Sequence, residues 1–316
     1  MTEPGGQHGA VKEPRRLRAG SHEIVLDHPI VVGIVNVTPD SFTDGGNFFS
    51  PANAVAHVKR LIADGADVID VGGESTRPGA SAVEPEEEIR RVVPVIVAAS
   101  ERWPNVPISV DTNKAEVAAA ALDVGAAIVN DVSALRLDPL MARVVKLSAC
   151  AVVLMHSRGD VSDMASYDHA DYGDNPVATI IGELSARAKF AESIGVAHDR
   201  IILDPGLGFS KRTEHSRAAL LGLDSLARCG YPVMVGTSRK RFVKEGMAEG
   251  LALMKGAEEP VDPAEFSIAE RDAGTVGASV VALTRGAMLF RVHDVRVHRR
   301  ALDVAWSIIR SSPVTA

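Results

Sequence analysis

The sequence has few cysteines, no long apolar run and no excess of positive charge, and each of these absences narrows the class of protein. Its 316 residues include two cysteines, Cys150 and Cys229, which lie in apolar surroundings and form no C-x-x-C pair. The sequence therefore predicts no disulfide framework and favours a reducing, cytoplasmic location. No group of His, Cys and Asp residues has the spacing of a zinc site.

Membrane and nucleic-acid partners are also disfavoured. No apolar run approaches the about 20 residues that span a bilayer. Residues 1–20 are polar, contain an RRLR cluster and lack the apolar centre of a secretory signal, so we predict a disordered tail over residues 1–22. The net charge is −7 and no basic stripe stands out, which argues against nucleic acid as the main partner.

Short runs rich in Val and Ile alternate with longer helical patterns. Eight runs stay nearly free of polar residues until their ends, as strands buried on both faces of a parallel sheet do: 30–36, 67–73, 107–111, 127–131, 150–156, 201–205, 232–238 and 288–293. The helical patterns cover 52–65, 86–102, 113–125, 139–148, 175–195, 214–229, 269–286 and 295–310. This alternation predicts an α/β fold, a (β/α)8 TIM barrel in a single domain over residues 23–316. A doubly wound open sheet is the main alternative, and the even number of units favours closure.

One segment is longer than a connection in this fold requires. Residues 246–266, GMAEGLALMKGAEEPVDPAEF, lie between the seventh strand and its helix. We interpret them as a partly helical surface insertion and not as a separate domain. Residues 239–245, just before the insertion, are compatible with a short extra helix.

Polar side chains stand where the apolar runs end, which in a barrel is the rim that carries catalytic groups. The third, fourth and sixth strands end in Asp111, Asn130 and Asp204. Each residue alone has an ordinary structural explanation, because Asp and Asn often cap helices or form turns. Their convergence from three strands on one rim favours a binding site. Carboxylates beside an amide suit a flat heterocycle with several N–H and C=O groups.

The last two strands deliver cations to the same rim. Lys240 follows the seventh strand, and the eighth strand ends in Arg291 and His293. Barrels often bind phosphate in the loops after strands seven and eight, and Arg and Lys are the side chains that suit phosphate. A phosphorylated ligand is therefore expected. The stretch GLGFSK at 206–211 lacks the spacing of a nucleotide-binding P-loop and predicts no such site.

As a set, these motifs closely resemble those of the dihydropteroate synthase family. The matching stretches, in the family's order from Asn36 to Val295, are NVTPDSFTDGG, DVGGESTRPG, SVDT, NDVSA, MH-x-RG, DPGLGFSK, TSRKRF and RVHDV. The resemblance implies a (β/α)8 barrel that pairs as a homodimer. It also implies Mg2+-dependent condensation of a (7,8-dihydropterin-6-yl)methyl diphosphate with 4-aminobenzoate, which gives 7,8-dihydropteroate and pyrophosphate.

The resemblance also assigns roles to single positions. It places Asn36 at Mg2+ and the diphosphate. Positions that bind the pterin and its diphosphate in the family correspond to Asp111, Asn130, Asp204, Lys240, Arg291 and His293. Positions in the second mobile loop or against the aminobenzoate correspond to Thr76, Arg77, Pro78, Phe209 and Ser238. The residues expected to take part in the chemistry itself are Asp111, Lys240, Arg291 and His293.

The chain departs from the family's pattern at four places, one of which is the insertion after Lys240, which is longer than in many relatives. Ser210 replaces the usual glycine before the lysine, Ser216 replaces an asparagine that often follows the histidine, and MHSRGDVSDM lacks a common proline. None of these changes removes an expected ligand of the pterin or the diphosphate.

Two other functions share parts of this pattern. A pterin barrel that transfers a methyl group from methyltetrahydrofolate to a corrinoid protein would keep the pterin carboxylates but would not need Lys240, Arg291 and His293. A non-catalytic paralogue that only binds pterin or a partner would show degraded loop motifs, whereas TPDSF and ESTRPG are intact.

Overall fold

The computed structural model describes residues 14–38, 51–75, 82–256 and 262–311. Its strands are β1 (Arg15–Ala19), β2 (His22–Leu26), β3 (Ile30–Asn36), β4 (Val68–Gly72), β5 (Ile108–Asp111), β6 (Ile128–Asp131), β7 (Ala151–Met155), β8 (Ile201–Asp204), β9 (Met234–Val235) and β10 (Leu289–Val292). Strands β3 to β10 form one parallel sheet in the order β8-β7-β6-β5-β4-β3-β10-β9. A parallel bridge between Leu203 and Val233 joins the two edges. The sheet therefore closes, and the predicted (β/α)8 barrel is confirmed over the open-sheet alternative.

Helices surround the barrel. They are α1 (Pro51–Ala63), α2 (Pro85–Arg102), α3 (Ala115–Asp123), α4 (Met141–Leu147), α5 (Pro176–Ser193), α6 (Thr213–Leu221), α7 (Leu223–Ala227), α8 (Arg241–Lys255), α9 (Ile268–Thr284) and α10 (Val295–Arg310). The helix predicted over 214–229 is divided at Gly222 into α6 and α7. A Cβ on Gly222 would lie 2.4 Å from Cγ1 of Val177, so the glycine lets α6 approach α5 closely.

The structure corrects the prediction of a disordered tail up to residue 22. Strands β1 and β2 pair antiparallel, with Arg15 opposite Leu26 and Ala19 opposite His22. Their buried side chains, Leu17, Ala19, Ile24 and Leu26, pack against the first residues of the barrel strands. The hairpin thus covers the amino-terminal end of the barrel. Alternate apolar residues supply this buried face, although the flanking arginines and glycines give the segment a polar composition. Residues 1–13 lie outside the described residues.

The segment predicted as a short helix followed by an insertion is mostly one element. Helix α8 runs without a break through residues 241–255 and ends at Gly256, which has a φ of 64°. Glycine adopts this left-handed conformation without strain, which explains where the helix ends. Residues 257–261 lie outside the described residues, and α9 begins after Ser267, whose side chain forms a capping box with Glu270.

The seventh barrel strand is shorter than predicted. The sequence pattern predicts residues 232–238, whereas β9 contains only Met234 and Val235. The following side chains form other contacts, since Oγ1 of Thr237 lies 2.9 Å from Oγ of Ser279. The chain therefore leaves the sheet early and turns toward the rim. Within the part of the chain that the structure describes, no helix is long and apolar enough to cross a membrane.

Candidate active site

A pocket opens at the carboxyl ends of the barrel strands. The sequence-predicted residues that line it are Asp111, Asn130, Asp204, Phe209, Lys240 and Arg291. They come from the ends of β5, β6, β8 and β10 and from the loops that follow β8 and β9. Parallel strands of a closed barrel all end at one rim, which is why residues up to 180 positions apart meet here.

Arg291 bridges two carboxylates at this rim. Its Nε donates to Oδ2 of Asp70 at 2.6 Å, and its Nη2 donates to Oδ2 of Asp111 at 2.5 Å. The amide Nδ2 of Asn130 also donates to Oδ2 of Asp70, at 3.3 Å. Asp70 thus fixes the side chains of two pocket residues from below.

Sequence reasoning missed Asp70. It occupies the middle of β4 and not its end, and it is 1% exposed. The only signal in the sequence is a lone carboxylate inside the buried run VIDVG. An acid in such a run needs a cation or donors beside it, and only the closed barrel reveals that Arg291 supplies them.

Burial and neighbouring charge shift the pKa values of the pocket groups. Burial raises the pKa of Asp111 to about 7; Arg291 opposes this rise and Asp70 adds to it. Burial also raises the pKa of Asp204 to about 6, against the N–H of Gly206 and the charge of Lys240. The pKa of Lys240 falls to about 8 because of burial and the nearby Arg291. Proton-binding groups that titrate near neutrality in one pocket are typical of functional sites.

Arg291 keeps its charge under the same conditions. Burial alone would lower its pKa, but the carboxylates of Asp111 and Asp70 raise the pKa above the ordinary value for arginine. The pocket therefore contains one permanent cation among carboxylates whose charge depends on pH.

The amine of Lys240 lies over an aromatic ring. Nζ of Lys240 is 3.9 Å from the ring centroid of Phe209, a cation–π contact across the mouth of the pocket. Next to this pair, Oγ of Ser238 lies 2.8 Å from Nδ1 of His293 and accepts from its backbone N–H at 3.3 Å. Ser238 therefore sets the orientation of the His293 ring.

Known proteins share this barrel and its sequence. A family model for pterin-binding enzymes matches residues 32–293. The dihydropteroate synthase of Clostridium beijerinckii is 40% identical over 296 residues, which cover 93% of this chain and 100% of that protein. The dihydropteroate synthase of Mycobacterium leprae is 41% identical over 283 residues, 90% of this chain and 94% of that protein. The chain belongs to the dihydropteroate synthase family of pterin-binding enzymes.

Solved structures of the family agree in fold. The dihydropteroate synthase of Xanthomonas albilineans with 4-aminobenzoic acid has a TM-score of 0.81 and 42% identity, and the match covers 95% of this chain and 100% of that chain. The same organism's enzyme in complex with 7,8-dihydropteroate has a TM-score of 0.78 and 39% identity, covering 94% and 100%. The predictions that the chain is an enzyme, and that it belongs to this family of transferases, are confirmed.

Several predicted positions lie at or beyond the edge of the described residues. Asn36 ends β3 and is half-buried, in register with Gly72, which is in turn in register with Asp111. Thr76, Arg77 and Pro78 lie outside the described residues, as do residues 39–46 of NVTPDSFTDGG.

The family's usual glycine at position 210 has a structural explanation. Ser210 has a φ of 49°, a left-handed conformation that glycine adopts most easily. Its Oγ accepts from the N–H of Arg158 at 3.0 Å and lies within donating distance of the carbonyl oxygens of Arg158 and Met164. These bonds tie the segment after β7 to the loop after β8. The serine thus loses the conformational freedom of glycine at this φ value, but its hydroxyl forms hydrogen bonds that hold the two segments together.

The motif NDVSA is mainly structural after its first residue. The carboxylate of Asp131 accepts from the backbone N–H groups of Ser133 and Leu135, both at 2.7 Å. Arg187 donates to the carbonyl oxygens of Ala134 and Leu135. Ala134 and Leu135 have φ values of 54° and 62°, so these bonds hold an unusual turn that follows the pocket residue Asn130.

Proposed function

We propose that this enzyme condenses a (7,8-dihydropterin-6-yl)methyl diphosphate with 4-aminobenzoate to give 7,8-dihydropteroate and pyrophosphate. The observation that carries the proposal is the single pocket that combines Asp111, Asn130 and Asp204 with Lys240 and Arg291. Carboxylate and amide groups match the N–H and C=O edge of a pterin, and the cations match a diphosphate. Family members solved with 4-aminobenzoic acid and with 7,8-dihydropteroate support the choice of substrates.

In the proposed reaction one carbon–oxygen bond breaks and one carbon–nitrogen bond forms. The diphosphate leaves with the electron pair of the bond to the pterin methylene, and the aminobenzoate nitrogen attacks that carbon and then loses a proton to solvent. Arg291 and His293 stabilise the negative charge on the leaving group. The ionised carboxylate of Asp111 stabilises the positive charge that spreads from the methylene into the ring. The weakly basic aromatic amine needs no dedicated general base.

The more buried residues of the pocket bind the pterin ring. Asp204 and Asn130 bind the amide edge of the ring, and Lys240 binds another polar edge. Asp70 accepts from Nδ2 of Asn130, so the carbonyl oxygen of this amide remains for the ligand. Phe209 and Ser238 contact the aminobenzoate, and Thr76, Arg77 and Pro78 are further proposed substrate contacts.

Asn36 is the proposed protein ligand of Mg2+. Elsewhere in the described ranges, no group of three or more His, Cys, Asp or Glu side chains could hold a metal ion. Mg2+ keeps several waters and binds substrate phosphates with one or two protein oxygens, so a single amide oxygen on this rim fits the ion. When bound, the ion would neutralise charge on the leaving diphosphate.

We also propose a cytoplasmic homodimer. Apolar side chains of α10 point outward on one face, since Val297, Val304 and Ile308 are 42%, 60% and 67% exposed. Val281 on the adjacent α9 is also exposed, and these two helices pack together. A second copy would remove this apolar surface from water. The partners proposed for the site itself are small molecules, with no role for nucleic acid or a membrane.

Release of pyrophosphate tests the proposed function. Purified protein is incubated with Mg2+, the pterin diphosphate and 4-aminobenzoate, and we expect pyrophosphate and dihydropteroate in equal amounts. The control omits the aminobenzoate. A folded protein that binds the pterin diphosphate but releases no pyrophosphate would be a binding protein only. Methyl transfer from methyltetrahydrofolate to a corrinoid acceptor would instead indicate the methyltransferase alternative.

A further inference from the structure

Lys211, the lysine of the stretch GLGFSK, is buried behind the pocket and 2% exposed. Its Nζ lies 2.8 Å from Nδ1 of His156 and donates to three carbonyl oxygens: those of Phe209 at 3.0 Å, Gly206 at 3.2 Å and His156 at 3.3 Å. An ammonium group carries three N–H donors and no acceptor. Four acceptors therefore converge on one donor group in the interior.

These acceptors belong to two segments that meet behind the pocket. His156 follows β7, and Gly206 and Phe209 belong to the loop after β8. The segments touch so closely that a Cβ on Gly206 would lie 1.9 Å from the carbonyl oxygen of His156. The N–H of Gly206 also donates to Oδ1 of Asp204 at 2.7 Å. Lys211 thus stands behind the loop that carries the Asp204 carboxylate and the Phe209 ring into the pocket.

The charge of Lys211 is balanced through the imidazole of His156. Because Nδ1 of His156 accepts from the ammonium, Nε2 carries the ring hydrogen and donates to Oε2 of Glu183 at 2.9 Å. Nε of Arg158 also donates to this oxygen, at 3.2 Å. Burial lowers the pKa of His156 to about 4, which agrees with a neutral ring. Burial lowers the pKa of Lys211 to about 7, while the charges of Asp204 and Glu183 oppose this fall. A buried amine with four acceptors around it would be an unusual choice if only the space needed filling, because methionine would fill it without desolvating a polar group.

We propose that Lys211 is a positioning residue for the substrate site. Its ammonium, and not its aliphatic stem, holds the loop 206–209 in the conformation that presents Asp204 to the pterin and Phe209 to the aminobenzoate. Without a donor at this point, the buried carbonyl oxygens of His156 and Phe209 would lose their hydrogen bonds, and Gly206 would keep only the N–H of Phe209 at 3.0 Å. The loop would then move to satisfy the unpaired oxygens. The role in substrate binding rests on the proposed function, whereas the role in loop geometry does not.

Two variants separate the ammonium from the stem. Lys211→Met keeps most of the apolar volume and removes the donors. Lys211→Ala removes both and leaves room for propylammonium, which has the atoms that alanine lacks. The exposed Lys189→Met on α5 is the control. The measurements are the affinity for the pterin diphosphate, the KM for aminobenzoate, and amide hydrogen exchange of residues 206–211 in the absence of substrates.

We expect Lys211→Met to weaken pterin diphosphate binding and to raise the KM for aminobenzoate at least about tenfold, with faster exchange in the loop. Propylammonium should reverse both effects in Lys211→Ala, and Lys189→Met should behave as wild type. Wild-type affinity and wild-type loop exchange in Lys211→Met would overturn the proposal. The exchange measurement needs no turnover, so it decides the loop role even if the wild-type enzyme releases no pyrophosphate.

If Lys211→Met fails to fold, the proposal is tested with Lys211→Ala instead. Propylammonium is then compared with 1-propanol, which has a similar size and no positive charge. Recovery of the folded state by propylammonium alone would support the proposal. Equal recovery with 1-propanol would show that the positive charge is not needed and would overturn the role of the ammonium.

Discussion

Arg291 and Asp111 form an ion pair at the rim of the barrel, with 2.5 Å between Nη2 and Oδ2. In the proposed reaction, Arg291 stabilises the negative charge of the leaving diphosphate, and Asp111 stabilises the positive charge of the pterin cation. Nε of Arg291 is bound to Asp70, and among the described residues Nη1 has no hydrogen-bond partner. An anion can therefore bind Nη1 while both carboxylates stay in place, which keeps the guanidinium oriented before substrate arrives.

Asp111→Asn should reduce turnover much more than pterin affinity. The amide keeps the shape of the side chain but removes the negative charge that stabilises the cation. We expect kcat to fall about 100-fold, with the Kd of the pterin diphosphate within about threefold of wild type. Steady-state kinetics and equilibrium binding measure the two quantities. Equal losses in both would assign Asp111 to substrate binding alone.

Asp204→Asn should have the opposite pattern. Its carboxylate accepts from ligand N–H groups in the ground state as well as in the transition state, so its loss weakens binding. A hydrogen bond to a charged group contributes about 1.5–3 kcal/mol, which corresponds to roughly a 10- to 100-fold rise in the Kd of the pterin diphosphate. Asp123→Asn, an exposed change at the end of α3, is the matched control. An Asp204→Asn enzyme that binds the pterin normally would remove this residue from the site.

The pH dependence of kcat/KM should follow the ionisation of Asp111, and a substitution of Asp70 should shift that dependence. Asp111 has a pKa of about 7 and is needed in its ionised form, so kcat/KM should fall as the pH drops below about 7. The negative charge of Asp70 raises that pKa. Asp70→Asn removes the charge, lowers the pKa of Asp111 and should shift the acidic limb to lower pH. A limb that stays in place, or moves to higher pH, would contradict the coupling.

His156 should make the fold less stable in acid. The folded-state pKa is about 4 against an ordinary value of 6.5, so the unfolded chain binds a proton first as the pH falls. The stability from this group is complete above pH 6.5 and is lost between 6.5 and 4, by about 3 kcal/mol at 1.36 kcal/mol per pKa unit. Denaturant unfolding of His156→Asn at several pH values should show a smaller loss over this window.

Removal of Mg2+ should abolish turnover and leave the binding of an unphosphorylated pterin unchanged. Asn36→Ala should raise the Mg2+ concentration needed for half-maximal activity about tenfold, because one of few protein oxygens is lost. The comparison with unphosphorylated pterin separates a metal defect from damage to the ring pocket. Unchanged Mg2+ dependence would exclude Asn36 as the ligand.

The sequence was a good guide where position along the chain determines position in space. Strand β3 was predicted with its observed ends, and Asp111, Asn130 and Asp204 meet because each closes a strand of one parallel barrel. In a barrel of repeated β/α units, every strand ends at the same rim. Residues at the strand ends can therefore be predicted to lie together from the sequence alone.

Residues whose role depends on a neighbour from elsewhere in the chain escaped prediction. Asp70 resembles an isolated acid in a buried strand until Arg291 reaches it across the barrel. Lys211 resembles a loop lysine until two loops place four acceptors around its amine. The hairpin was missed because RRLRA looks polar, although its alternate residues pack against the barrel floor.

The hairpin of residues 15–26 covers the amino-terminal end of the barrel, so the pocket opens only at the carboxyl ends of the strands. Its apolar face closes the floor, so no ligand can reach the pocket from beneath. Asn130 and Asp204 are more buried than Phe209, so the proposed pterin would enter the pocket before the aminobenzoate that is proposed to contact Phe209. In the proposed reaction, this single opening would therefore fix the order of binding, with the pterin bound first and the joined product released as one molecule.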